Sequence, residues 1–353
     1  MVNRTLVAQN AAKESTKEKC TVSIIAETRF GRRGISTDWK GQESSIDLKN
    51  AHKILLIGGP TASGKSRLVL DLAESIPLEI INADSRQIYQ YLTIGTSQPA
   101  LSDLERVPHH LYGFLRPEES FSAADFEQFA CSLIPQIAAR KKLPVIVGGT
   151  GFYMKALLRG VWPVLPKNEQ LRTKLQKIAS RHHSRFLHDM LTRLDPPSAA
   201  AIAPPDTYRL IRALEIYFQS GIRRSELPSK QLQRFNALKY YLDPPRDQLQ
   251  EAIIERTERM LEQGWVEEVQ RLLSLYPDFR QMPASKSLGY REILQYLSGE
   301  ITAEQCRSAI ALKTRQYAKR QLTWFRNQDQ FEPVTTEVSL HKMIDCVLQW
   351  YRN

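Results

Sequence analysis

Gly59-Pro60-Thr61-Ala62-Ser63-Gly64-Lys65-Ser66 is the stretch that decides the fold. It follows the apolar run Ile54-Leu55-Leu56-Ile57 and precedes Leu68-Val69-Leu70-Asp71-Leu72-Ala73. The first flank reads as a buried parallel strand and the second as a helix. Strand, G-x-x-x-x-G-K-[ST] and helix therefore stand in the order that a phosphate loop requires. Glycines let the backbone curl until successive N–H groups point inward, and the following helix presents its positive end. Lys65 adds a point charge and Ser66 a hydroxyl for Mg²⁺. Such a cradle holds two or three linked phosphates without saying which. The bland alternative is a glycine-rich turn in some other fold; strand, lysine and serine together count against it.

Working outward, strand and helix patterns alternate. Leu78-Glu79-Ile80-Ile81-Asn82 reads as a second strand ending at Ala83-Asp84-Ser85-Arg86-Gln87. Ser122 and Asp125 have capping-box spacing and open a helix expected to run to about Lys142. Pro144-Val145-Ile146-Val147 is a third strand, ending in Gly148-Gly149-Thr150-Gly151. In a parallel sheet the ligand crevice lies just past the strand C-termini, so Asp84 and the paired glycines are expected to face the phosphate loop. From Pro163 to Arg224 the pattern turns helical, through Leu171, Leu175, Ile178 and later Leu187, Leu191 and Leu194, with Asp206 capping a helix that stops at Gly221. A brief strand, Tyr240-Tyr241-Leu242, returns to the sheet, and long helices follow from Asp247, Gly289 and Thr302. The expected fold is α/β: a P-loop NTPase-like parallel sheet core with an inserted helical domain and a helical C-terminal region. In residue terms, 51–162 are the first part of the core, 163–224 the insertion, 225–330 the remainder of the core with the C-terminal helices, and 331–353 a tail. Residues 1–50 are polar and aperiodic, so disorder is expected there.

Composition narrows the partners. The 353 residues carry 49 Lys+Arg against 38 Asp+Glu, a net charge of +11 that favours a polyanionic partner, nucleic acid first. No apolar run is long enough to span a bilayer, so no membrane partner is expected. Cys20, Cys131, Cys306 and Cys346 are scattered with no C-x-x-C, which argues against a zinc site or a disulfide framework. A reducing compartment fits that usage.

Two features carry chemistry. A hydrolysing phosphate-loop enzyme usually places a carboxylate after a core strand, but Val145-Ile146-Val147 leads into glycines. Asp84 is a carboxylate placed just after a core strand, and its position leaves metal-side ligand and general base equally open. The second feature is Lys313 to Arg326, read as one helix. Arg315, Lys319 and Arg326 share one stripe, and Tyr317, Arg320 and Trp324 another. Cations interleaved with aromatics suit phosphate contact and base stacking, while a solvated basic face with aromatics packed inward gives the same pattern.

Taken in order, the phosphate loop, Asp84-Ser85-Arg86-Gln87, Gly148-Gly149-Thr150-Gly151, Tyr208-Arg209-Leu210-Ile211-Arg212, Lys286-Ser287-Leu288-Gly289-Tyr290-Arg291 and Lys319-Arg320-Gln321-Leu322-Thr323-Trp324-Phe325-Arg326 resemble the tRNA dimethylallyltransferase family in its bacterial or organellar form. The resemblance runs from about residue 53 to about residue 327. It implies an enzyme that moves the five-carbon group of dimethylallyl diphosphate to N6 of the adenosine beside the tRNA anticodon, with the loop holding pyrophosphate and Mg²⁺ at Ser66. Asp84 would act as general base, and Lys65 and Arg256 would stabilise the departing diphosphate. Spacing alone allows Arg256 an ion pair with Glu251 or Glu255 instead. By the same resemblance Asp84 to Gln87, Thr150, Arg172, Tyr208 to Arg212, Lys286 to Arg291 and Lys319 to Arg326 would touch the anticodon stem-loop, and a deep pocket is needed because a stacked adenosine must be extruded. The sequence departs from the family at Ser66, where Thr is frequent, and at Ile202-Ala203-Pro204-Pro205-Asp206, where Ile-His-Pro-Asn-Asp is more usual. A monomer in the bacterial cytoplasm is expected, with an organelle as runner-up. Two rivals stand: an adenylate isopentenyltransferase acting on free AMP, ADP or ATP, and a phosphate-loop kinase or ATPase.

Overall fold

Short apolar runs bounded by turns make strands buried on both faces, which is how parallel sheets read in sequence. The structure, a computed structural model, describes residues 51–160, 165, 167–227, 234–328 and 331–352. The expected disorder of residues 1–50 lies outside them. In chain order the elements are β1 (Lys53–Gly58), α1 (Lys65–Leu72), β2 (Leu78–Asn82), α2 (Leu101–Arg106), β3 (His109–His110), α3 (Ala123–Ala139), β4 (Leu143–Val147), α4 (Gly151–Arg159), α5 (Glu169–Leu194), α6 (Pro196–Ala200), α7 (Thr207–Ser220), β5 (Asn236–Leu242), α8 (Arg246–Glu262), α9 (Trp265–Leu275), α10 (Tyr290–Leu297), α11 (Ala303–Arg326), β6 (Glu332–Val334) and α12 (Glu337–Arg352). The strands form one parallel sheet in the order β3-β2-β4-β1-β5-β6.

Alternation along β1 sorts its side chains between two cores. Ile54 and Leu56 pack with Ile81, Ile146 and the buried faces of α3 and α4. Leu55 and Ile57 pack with α1, Val145 and Val147, and with Met343 and Val347 of α12. The stretch read as a tail is thus an edge strand and a helix that covers one face of the sheet. Lys53 Nζ donates to the Trp350 carbonyl at 2.9 Å and fastens that helix to β1.

Helices α5 to α7 pack around their own cluster of Leu175, Leu187, Leu191, Leu210 and Leu214. His183, at φ 60 and ψ 160, breaks α5 with a kink. The expected caps are present: Asp206 accepts from Arg209 N at 3.1 Å, and Gly221 ends α7 at φ 70. Helices α8 to α11 enclose a fourth cluster around Trp265, Phe279, Tyr290 and Ile310. No helix of the described residues is long and apolar enough to cross a membrane.

Register brings three strand ends level. Val147 pairs with Ile57 on one side and with Asn82 on the other. The phosphate loop, the Asp84 turn and the Gly148–Gly151 turn therefore leave the sheet side by side, and α8 and α11 lie across them.

Candidate active site

The loop after β1 has the curled backbone its glycines foretold. Gly59 lies at φ 135 and Gly64, the residue before α1, at φ 85; Ala62 takes φ 64 without being glycine. Ser63 Oγ donates to Pro60 O at 2.9 Å, and Lys65 Nζ donates to the same carbonyl at 2.5 Å. The ammonium is thus turned inward. Desolvation pushes it down to about 7, Asp84 pulls back upward, and Arg256 lowers it again. Ser66 is exposed in the first turn of α1.

Asp84 is set by Asn82, the last residue of β2, which is wholly buried. Asn82 Oδ1 accepts from Asp84 N at 2.8 Å, and its Nδ2 donates to Asp84 O at 3.2 Å and Leu111 O at 2.9 Å. Asp84 Oδ1 accepts from Arg86 N at 2.8 Å. Its Oδ2 has no hydrogen-bond partner among the described residues, and the carboxylate lines a cleft with Thr61, Arg86, Arg256 and Tyr317. The cleft holds about 570 Å³ of empty space, part of it open to solvent. Arg256 forms no ion pair among the described residues, so neither Glu251 nor Glu255 holds it. Burial lowers its guanidinium from the ordinary arginine value, with Asp84 opposing and Arg259 adding to the drop. Lys65, Arg256 and Asp84 form one mutually interacting group of two cations and a carboxylate.

The glycine turn after β4 serves the protein more than a ligand. A Cβ on Gly148 would collide with the Ala83 carbonyl, one on Gly149 with the Gln321 amide, and one on Gly151 with the Trp324 ring. The absences at Gly149 and Gly151 let α11 settle onto the sheet ends. Gln321 then bridges two strand ends, accepting from Thr61 N at 2.9 Å and donating to Gly149 O at 3.0 Å. Thr150 Oγ1 accepts from Ser85 N at 3.0 Å, which ties the glycine turn to the Asp84 turn.

Several residues expected to touch tRNA lie inside the protein. Leu210, Ile211, Ser287, Tyr290, Gln321 and Phe325 are buried, because each sits on the inward stripe of a helix or turn. Gly289, also buried, takes φ 88 against Trp265. Arg172 and Arg212 turn onto Glu215, which has no exposed surface: Arg172 donates Nε and Nη2, each at 2.9 Å, and Arg212 Nη1 at 2.5 Å. Gln87 points inward, donating to Thr96 O at 3.1 Å and Ser97 O at 2.6 Å. Leu322 packs beside Ala62 on a small cluster of Leu249, Ile253 and Ala318. Tyr208, Arg209, Lys286, Arg291, Lys319, Arg320, Thr323 and Arg326 are exposed, although Arg326 is paired with Asp243 through bonds of 2.9 and 2.7 Å. On α11 the exposed Arg320 stands over Tyr317, 5.7 Å from that ring's centre. Of the second stripe, Trp324 packs on Phe325 and Phe331 rather than offering a free face.

Sequence reasoning passed over Asn82, Thr314, Met260, Trp265 and the Thr93–Gln98 stretch, all of which shape the cleft or its carboxylate. Only Asn82 left a signal, as a polar residue ending a strand of buried side chains.

A family model described as IPP transferase matches residues 87–328. A tRNA dimethylallyltransferase of Geobacter sulfurreducens is 40% identical over 279 residues, covering 78% of this chain and 89% of that protein. One from Citrifermentans bemidjiense is 42% identical over 286 residues, covering 80% and 92%. Among solved structures, a full-length tRNA isopentenylpyrophosphate transferase of Bacillus halodurans superposes with TM-score 0.63 at 33% identity, over 85% of this chain and 98% of its own. A eukaryotic dimethylallyltransferase described as acting on tRNA superposes with TM-score 0.70 at 28% identity, over 82% and 75%.

Proposed function

The chain belongs to the IPP transferase family, and on that premise we propose that it transfers a dimethylallyl group from dimethylallyl diphosphate to N6 of the adenosine on the 3′ side of the tRNA anticodon. One observation carries the chemistry: the unpartnered oxygen of Asp84 lines the same cleft as the phosphate loop residue Thr61 and the unpaired Arg256.

The diphosphate sits in the loop, on its backbone N–H groups and Lys65, and the allylic chain enters the apolar part of the cleft between Ile253, Met260 and Ile310. As the bond from N6 to the allylic carbon forms, the carbon–oxygen bond to the diphosphate breaks. The N6 proton passes to Asp84, and the diphosphate leaves with the bonding pair. Charge grows on the leaving oxygen, so Lys65 and Arg256 stabilise the transition state more than the ground state. Both are desolvated, which strengthens that effect.

The donor set suits Mg²⁺. Ser66 offers a hydroxyl that has no partner among the described residues, and this ion typically takes one or two protein oxygens, with substrate phosphate oxygens and waters completing its shell. When bound it would neutralise charge on the diphosphate. The exposed cations Lys319, Arg320, Arg209, Lys286 and Arg291, with the net charge of +11, supply the field for an RNA backbone. The two relatives matched by sequence above, from Geobacter sulfurreducens and Citrifermentans bemidjiense, are bacterial, which supports action in the bacterial cytoplasm.

Radiolabelled dimethylallyl diphosphate with Mg²⁺ and unmodified tRNA, AMP or ATP as acceptor tests the reading. Label is expected in tRNA, at the nucleoside beside the anticodon. Label in the free nucleotides and none in tRNA would favour a cytokinin-type enzyme, and multiple-turnover ATP hydrolysis a phosphate-loop ATPase.

A further inference from the structure

Resting on the prenyl-transfer reading, the cleft divides by chemistry. Asp84, Arg86 and Arg256 give it charge, while Met260, Trp265, Leu288 and Ile310 give it an apolar part where a hydrocarbon chain belongs. Gly95 and Thr96 line that cleft too, from an irregular stretch, Thr93–Gln98. This stretch is not held by regular structure. Tyr91 before it and Ser97 within it lie at φ 66 and φ 52, conformations that cost a residue with a side chain and persist only when the surroundings impose them.

The middle of the stretch, Thr93 to Gly95, is held by one carboxylate. Glu268 on α9 is 4% exposed and lies within reach of no cation among the described residues. Its Oε2 accepts from Thr93 Oγ1 at 2.9 Å and Ile94 N at 2.7 Å. Its Oε1 accepts from Gly95 N at 3.1 Å and from the Tyr290 hydroxyl at 2.6 Å. Gln87 grips the next two carbonyls from the other side. Between the two grips Gly95 is pressed against Trp265 and Tyr290 so closely that a Cβ would collide with the indole nitrogen. Trp265 is itself buried, so this contact closes the apolar part of the cleft.

We infer that Glu268 is a positioning residue that fixes the length of the allylic chain: by holding Thr93 to Gly95 against Trp265, it keeps the apolar part of the cleft to five carbons. The carboxylate touches no substrate. It acts through the backbone it carries, and two of its four donors are main-chain N–H groups that have no freedom to turn away.

The test uses the full-length protein with unmodified tRNA, and compares kcat/KM for dimethylallyl diphosphate with that for geranyl diphosphate, the ten-carbon homologue. A fraction of unfolded protein cancels from that ratio. The wild type is expected to prefer the five-carbon donor by about 100-fold or more, since even single methylenes discriminate by roughly 10-fold and upward in a closed pocket. E268Q keeps the volume but turns an amide nitrogen toward a fixed N–H, and the preference should fall by about tenfold or more. Y290F removes one donor and leaves the carboxylate, so its ratio should move the same way by less. V269A, a buried neighbour on α9 outside the cleft, should leave the ratio alone. An unmoved ratio in folded E268Q would overturn the inference, as would an unmoved ratio in Y290F should E268Q fail to fold. An equal shift in V269A would reduce Glu268 to ordinary packing and overturn it as well. A wild type that transfers nothing from dimethylallyl diphosphate to tRNA would sink the underlying reading; an active wild type with unmoved ratios in the variants would sink this inference alone.

Discussion

Gln321 offers a sharp choice between two roles, because a helix reading makes it a tRNA contact and the fold makes it a bracket. Replacing it with leucine keeps the volume and removes both hydrogen bonds, to Thr61 N at 2.9 Å and to Gly149 O at 3.0 Å. Each bond contributes about 1 kcal/mol net. The loss at Gly149 is larger, because that buried carbonyl is left without its amide partner, at about 1–3 kcal/mol. Thr61 sits on a half-buried loop where water can replace the lost acceptor. Leucine recovers a little by being apolar, so a net loss of about 2–3 kcal/mol is expected. Thr61 N–H also loses its tether, and pyrophosphate affinity should fall by about tenfold. Urea unfolding and pyrophosphate titration of Q321L read both quantities, with tRNA binding as control. Unfolding within about 0.5 kcal/mol of wild type, the range of ordinary surface substitutions, together with weakened tRNA binding, would refute the bracket and restore the contact.

Three further outcomes follow from charge and space. Lys65 is near 7 in the free protein and should be an ammonium once a diphosphate lies on it. Pyrophosphate binding should therefore take up a proton above pH 7 and weaken as pH rises; calorimetry in buffers of different ionisation enthalpy, finding no uptake at about pH 8, would contradict this. Glu215, whose burial alone would raise it, is held at about 2 by Arg172, Arg212 and Asn168 N. The unfolded chain takes up that proton first, so the stabilisation is present above 4.5 and fades as pH falls toward 2. E215Q should cost about 3–5 kcal/mol at neutral pH and much less in acid; equal costs at both would remove the ion pairs from the account. G148A, which drives a methyl into the Ala83 carbonyl beside Asp84, should abolish transfer and lower the melting temperature, and a normal melting curve would show that the turn yields.

Much of the fold was legible because its signals are local. Four-residue apolar runs, a G-x-x-x-x-G-K-S turn and capping residues at Ser122 and Asp206 need no tertiary information, and each element they mark is present. The two-residue β3 and the three-residue β6 were not legible, since neither is long enough to show alternation. Helix α12 was passed over although its apolar positions recur at helical spacing; what it covers, the sheet face of Leu55 and Ile57, is a tertiary fact. The same division runs through the site. Asp84 could be placed from strand-end logic alone. Whether an arginine such as Arg172 faces RNA or a buried Glu215 depends on a partner 43 residues away, and motif order carries no such information. Leu210, Tyr290 and Phe325 entered the tRNA-facing set through motif membership, whereas helical phase sets them inward.

The most direct test is the single-turnover rate of Asp84→Asn with saturating dimethylallyl diphosphate and unmodified tRNA, alongside tRNA affinity. Asparagine preserves size and keeps an acceptor for Arg86 N but cannot take the N6 proton. Transfer should fall by about 10²-fold or more, the usual worth of a positioned base, while tRNA binds as tightly as to wild type. Transfer at near-wild-type rate would contradict the role given to Asp84, and with it the cleft as the place where diphosphate and adenosine meet.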